Sequence, residues 1–167
     1  KPRMDYDLIR QHSEGLICLS ACLSGDLPKL LLQERHDDAV NYVHEMQDIF
    51  GKDNFFIEIM DHGIREEKIV LPRLVALARE LNVPLVATND CHYLEEKDAD
   101  AQEVLMCIQT GKTLEDDARM RMETRQLYVK SETEMRTLFA SCPDAVDNTT
   151  KIAERCQVEF EFGVTRL

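Results

Sequence analysis

The sequence predicts an α/β fold built on parallel strands. Short, nearly continuous apolar runs at residues 15–20, 55–60 and 84–88 read as strands covered on both faces. Between and after them, apolar residues recur at three- and four-residue spacing, the mark of helices with one buried face. The resulting order, β-α-β-α-β-α, favours parallel strands joined by crossovers.

Each element rests on particular residues. The helix expected over 38–50 carries Ala39, Val40, Val43, Met46 and Phe50 on one side and stops at Gly51. The next, over 66–81, carries Leu71, Leu74, Val75, Ala78 and Leu81; Pro72 inside it predicts a kink or a later start. A third, over 98–109, carries Ala101, Val104, Leu105 and Ile108 and ends before Gly111. Residues 127–129 read as a short edge strand. The composition changes after Lys112: residues 113–125 are charged, Met-rich and without period, an exposed loop. Ser131 and Glu134 form a capping box that opens a helix through Phe139. Pro143 opens another, with Val146, Thr149, Ile152, Ala153 and Cys156 on one face. Residues 158–162 alternate strictly and read as the start of a strand. The chain divides into an α/β part, 1–112, and a mostly helical connector, 113–167.

Composition narrows the function classes. A length of 167 residues suffices for one domain with a real core. The net charge of −12 argues against extensive direct contact with a phosphate backbone, whose binding is mainly cationic neutralisation. Six cysteines without a CxxC pair exclude a zinc ribbon or thioredoxin motif and fit a reducing, cytoplasmic setting. No apolar run approaches the ~20 residues that span a bilayer. Walker, GxGxxG and GxSxG motifs are absent. Only three good strands are present, where a closed α/β barrel needs roughly seven or eight. With Lys1 in place of an initiating Met, the chain reads as the second half of something larger.

Candidate chemistry sits at the strand ends, where α/β proteins place their sites. The third strand runs into Asp90-Cys91-His92, and alternation along an extended chain would point Asp90 and His92 the same way. A carboxylate and an imidazole so placed could hold a divalent metal; the alternative is a capping Asp and a hydrogen-bonded His. Cys22 follows the first strand, as a ligand or as a buried thiol. Asp61 and His62 follow the second, with Gly63 allowing a sharp turn, and Glu58 within that strand is either a buried acid near the rim or points outward. Three donors with an open position would make a hydrolytic metal site. His12, His36 and His44 read as surface residues. Arg119, Arg121 and Arg125 read as a solvated cluster offset by Glu115, Asp116, Asp117 and Glu123.

Six ordered blocks cover nearly the whole chain: EGLICLSACLSGDLPKLLL, NFFIEIMDHGIREEK, PLVATNDCHYL, LMCIQTGKTLEDDARMRM, LYVKSETEM and PDAVDNTTKIAERC. Together they resemble the bacterial replicative DNA polymerase III alpha subunits. The match is to the later part of the PHP (polymerase and histidinol phosphatase) domain and the approach to the palm. The resemblance implies the C-terminal half of a (β/α)7 PHP-type barrel over 1–112, followed by a connector. It implies a metal cluster at the strand C-termini, holding zinc, manganese or iron, with phosphoesterase or 3′–5′ exonuclease chemistry. Asp90 and His92 match the last ligand pair and Cys22 the ligand after the middle strand, and His62 lies beside the cluster; read from their strand-end positions, Glu58, Asp61 and His62 are candidates to line the site. The parent implied is a DNA-directed DNA polymerase using magnesium, with DNA, dNTPs, other replicase subunits and a proofreading exonuclease subunit as partners. The opening His-x-His, the middle His and Glu ligands and the palm aspartates are absent here, so this segment alone should not polymerise. Two other readings stay open: a non-catalytic scaffold and docking module with a vestigial site, and an unrelated cytosolic metal-dependent hydrolase.

Overall fold

Three short parallel strands set the frame: β1 (Cys18–Leu19), β2 (Phe55–Ile59) and β3 (Leu85–Ala87), hydrogen-bonded in the order β1-β2-β3. Cys18 pairs with Phe55 and Leu19 with Phe56; Ile57, Glu58 and Ile59 pair with Leu85, Val86 and Ala87. The computed structural model describes residues 3–159 and 161–163. Its helices are α1 (Tyr6–Gln11), α2 (Asp26–Leu32), α3 (His36–Phe50), α4 (Arg65–Leu81), α5 (Ala99–Thr110), α6 (Glu132–Leu138) and α7 (Pro143–Arg155). The α/β class and the parallel pairing are as the sequence predicts. The described residues form a three-stranded sheet with helices, not a seven-stranded barrel.

Alternation along β2 builds the core. Phe55, Ile57 and Ile59 enter one apolar cluster with Leu27 and Leu31 of α2, Val43 and Met46 of α3, and Leu74 and Leu77 of α4. Phe56 and Glu58 take the other face and are buried as well. A strand buried on both faces needs a continuous apolar run, which is why β2 is so legible in the sequence.

Differences from the sequence reading have local causes. The first strand is two residues long because Ser20 breaks its ladder: the Glu58 backbone N–H donates to the Ser20 hydroxyl (2.9 Å), and Ala21 then turns with φ +67°. Two helices, α2 and α3, separate β1 from β2 where the sequence reading placed one, and α1, opened by Asp5 accepting from Leu8 N (2.9 Å), was not foreseen. Pro72 neither starts nor interrupts α4; it sits on the exposed side beside exposed Lys68, whose carbonyl is the one it cannot bond. Residues 127–129 form no edge strand but a single parallel bridge, Tyr93 to Tyr128. Val158 and Glu159 form no strand, because alternation is only a disposition until a neighbouring strand pairs with it; Phe160 lies outside the described residues. The connector helix α7 is part of the core: Ala145 and Val146 join the main cluster, and the Asn148 amide donates to the Leu85 carbonyl (2.7 Å).

Candidate metal cleft

Cys22, His62 and Asp90 each fall three residues beyond the end of their strand, after Leu19, Ile59 and Ala87. The in-register sheet therefore delivers all three to one rim. There they border a cleft of about 540 Å³ that is also lined by His92, Glu67 and Arg121.

Two of the rim positions are held in unusual backbone conformations. Asp90 has φ +39° and Ala21, next to Cys22, φ +67°. Non-glycine residues in this region carry strain of roughly 1–2 kcal/mol, which persists only where the surroundings impose it. For Ala21 the imposing contact is Gly25: a Cβ there would lie 2.7 Å from the Ser20 carbonyl oxygen, so only glycine lets α2 start so close to the Cys22 turn.

Asp90 and His92 do meet, with Oδ1 and Nε2 3.5 Å apart and side chains 42% and 35% exposed. The geometry is not the strand alternation expected, since β3 has already ended at Ala87 and Asp90 has a left-handed backbone, φ +39°. His92 is placed instead by its backbone N–H, which donates to the Leu127 carbonyl (2.8 Å). Cys22 is half-buried on the same cleft. Among the described residues no three His, Cys, Asp or Glu side chains come together as a ready-made metal site. The donor types suit a borderline cation such as zinc. Asp90 and His92 thus form one close acid–imidazole pair, and Cys22 lines the same cleft.

His62 has a different task. It is almost fully buried, with Nε2 donating to the Asn89 carbonyl (2.9 Å) and Nδ1 against Glu67 Oε1 (2.6 Å). Glu67 Oε2 also accepts from the His62 backbone N–H (2.7 Å) and from Ile64 N (3.4 Å), closing the N-terminus of α4. Burial alone would lower the His62 pKa, but the bonds to Glu67 and Asn89 outweigh it and raise it. Burial likewise pushes Glu67 up, and its bonds to His62 bring it below the usual carboxylate value. Both ring nitrogens face an acceptor, the arrangement of an imidazolium beside a carboxylate. With both ring nitrogens engaged, His62 borders the cleft without a lone pair to give a metal.

Asp61 does not line the cleft; its carboxylate accepts from Gly63 N (3.0 Å) and shapes its own turn. Glu58 is the buried acid of the two readings: its carboxylate accepts from the Thr88 hydroxyl (2.6 Å). Burial raises its pKa, with the Asp90 charge adding to the rise and bonds from Thr88 and Ala21 opposing it. His12, His36 and His44 are exposed, as expected.

Sequence reasoning missed the network behind the rim. Asn89 donates to the carbonyls of Gln126 (2.9 Å) and Tyr128 (2.7 Å), and its Oδ1 accepts from Lys130 Nζ (3.1 Å). Thr124 donates its hydroxyl proton to the His62 carbonyl (2.9 Å). An Asn ending a buried apolar run is the signal that points to such a role. The arginine loop is also tied down. Arg119 pairs with Glu103 (2.9 Å) and Arg125 with Asp100 (2.6 Å), both on α5, so their offsetting acids are not the loop acids expected.

A second groove, between α4 and the turn after α2, holds about 320 Å³. Its charges satisfy one another, Arg73 with Glu34 (3.2 Å) and His36 with Glu80 (3.2 Å), so it presents no converging free group.

Residues 1–62, which carry β1, Cys22 and β2, match the PHP domain family. More particular likenesses run along almost the whole chain. It is 50% identical over 160 residues to the DNA polymerase III subunit alpha of Treponema pallidum (strain Nichols), covering 96% of this chain and 14% of that one. With the same subunit of Borreliella burgdorferi the identity is 47% over 165 residues (99% and 14%), and with that of Thermus aquaticus 43% over 166 (98% and 14%). The chain spans about one seventh of the length of these curated relatives. The resemblance carried by the six blocks is borne out: the chain is homologous to a segment of the bacterial DNA polymerase III alpha subunit.

Proposed function

We propose that this chain is the late PHP segment of a cytoplasmic, replicative DNA-directed DNA polymerase, and that its cleft is part of a divalent-metal phosphoesterase site. The observation that supports the metal reading most is the convergence of Asp90, His92 and Cys22 on one cleft at the C-terminal rim of a parallel sheet. We assign residues 1–112 to the PHP portion; β3 belongs to it through its hydrogen bonds to β2. Residues 113–167 then lead toward the polymerase palm.

In this reading Asp90 and His92 form one chelating pair and Cys22 a further donor, with the remaining ligands supplied by the rest of the parent. Zinc, manganese or iron bound there would supply Lewis-acid activation of water against a phosphoester. Asp90, at φ +39°, carries its carboxylate 3.5 Å from His92 Nε2. Glu67 neutralises His62, so neither is left as an unpaired buried charge. Leu23 and Leu127 give the cleft apolar lining. The substrate is a DNA 3′ end; DNA, dNTPs with magnesium at the palm, other replicase subunits and a proofreading exonuclease subunit are the parent's partners.

The test uses the full-length protein, with DNA synthesis as its internal control. His92→Ala should lower metal-dependent release of nucleotides from a labelled DNA 3′ end at least tenfold while synthesis continues. Unchanged release in the variant, or none in the wild type, would favour the scaffold reading, in which the site is vestigial and the segment only docks partners.

A further inference from the structure

Arg121 is the one arginine of its cluster that the fold leaves uncommitted. Arg119 donates to Glu103 (2.9 Å) and to the Leu114 carbonyl (3.1 Å), Arg125 pairs with Asp100, and Thr124 fastens to the His62 carbonyl. These anchors bracket Arg121 on both sides and hold its stretch of chain over the cleft. Arg121 itself makes no hydrogen bond or ion pair among the described residues, yet it lines the cleft that holds Cys22, Asp90 and His92.

The surroundings make that placement consequential. Glu66, Glu123 and Asp90 also border the cleft, and the chain as a whole carries a net charge of −12. An anion entering such a cleft meets repulsion unless a cation receives it. The acid nearest in sequence, Glu123, lines the same cleft without pairing with Arg121. A guanidinium offers a planar fork of N–H donors matched to two oxygens of a phosphoryl group, and stays charged throughout the working pH range.

We propose that Arg121 is the phosphate-binding residue of the cleft, receiving the non-bridging oxygens of a phosphoester in the cleft that Asp90 and His92 also border. This rests on the phosphoesterase reading and adds the residue that selects a phosphoryl substrate. It also gives the loop at 113–125 a purpose: its other arginines fix it so that this one can bind.

The test is calorimetric titration of the full-length protein with inorganic phosphate and with thymidine 5′-monophosphate, alongside metal analysis of the same samples. Arg121→Ala should weaken both ligands roughly tenfold to a hundredfold, the loss expected for a charge-assisted hydrogen bond. Arg121→Lys should recover part of the affinity, since it restores charge without the fork. Bound metal and the melting temperature should not move in either variant, because Arg121 is exposed and bonds to nothing that holds the fold. Arg136→Ala, which removes a paired surface arginine, should bind like wild type. Equal affinity in Arg121→Ala and wild type, or no phosphate binding by the wild type, would overturn the proposal. If phosphate affinity drops in Arg121→Ala while no sample holds metal, the anion site stands and the metal reading fails.

Discussion

Glu67 and His62 show how one buried ion pair can stabilise a rim without joining its chemistry. Removing one partner of such a pair typically costs about 3–5 kcal/mol, because the other charge is left buried and alone. Its pH dependence follows from the two shifts. His62 has a raised pKa, so its contribution is complete below pH 6.5 and is lost as pH rises through its higher folded value. Glu67 has a lowered one, so its contribution is present above pH 4.5 and is lost as pH falls through its lower folded value. Both are therefore fully present between pH 4.5 and 6.5. Urea unfolding of wild type and Glu67→Gln across pH 4 to 9 should show the largest difference in that window and a shrinking one on either side; a flat difference would refute the ion pair. Sequence legibility splits at this scale. Asp90 and His92 stand out because acid and imidazole follow an apolar run. Glu67 does not, because a Glu in the first turn of a helix looks alike whether it caps the helix in water or clamps a buried histidine.

Among the elements, β2 and β3 are legible and β1 only partly so. Five residues buried on both faces leave a short, nearly continuous apolar run bounded by Asn54 and Asp61 that reads as a strand by its length and its Phe and Ile content, whereas the end of β1 is decided by a single hydroxyl, Ser20, accepting from Glu58. Helix α7 is legible from its Pro143 start and its apolar stripe, but its docking is not, since nothing local says which surface the stripe meets. In the structure it lies along the outer side of β3, where Asn148 occupies the Leu85 carbonyl. A free strand edge invites pairing with another chain, and this bond helps close it. Asn148→Leu leaves that carbonyl without its donor and should lower stability by about 1–3 kcal/mol in urea unfolding. A change below about 0.5 kcal/mol would mean that α7 covers the edge by apolar contact alone.

At the scale of the whole molecule, the sheet register does what no single residue can. Because β1, β2 and β3 run parallel and in step, the three-residue turns after them reach one rim, and a thiol, a buried ion pair and an acid–imidazole pair share one cleft. The residue types at those turns are readable in the sequence; their meeting is not, since it depends on pairings such as Ile59 with Ala87 across the fold. The seven-stranded barrel implied by the family resemblance extends beyond what these residues form, and so does the proposed ligand set: among the described residues no three potential donors come together, and Asp90 and His92 are a close pair. The central claim is that this pair binds a divalent metal. The most direct measurement is the metal content of the full-length protein after equilibrium dialysis against zinc or manganese, compared between wild type and the Asp90→Ala, His92→Ala double variant. The account predicts retained metal in the wild type and its loss in the variant with the fold intact; equal metal content in the two would contradict it.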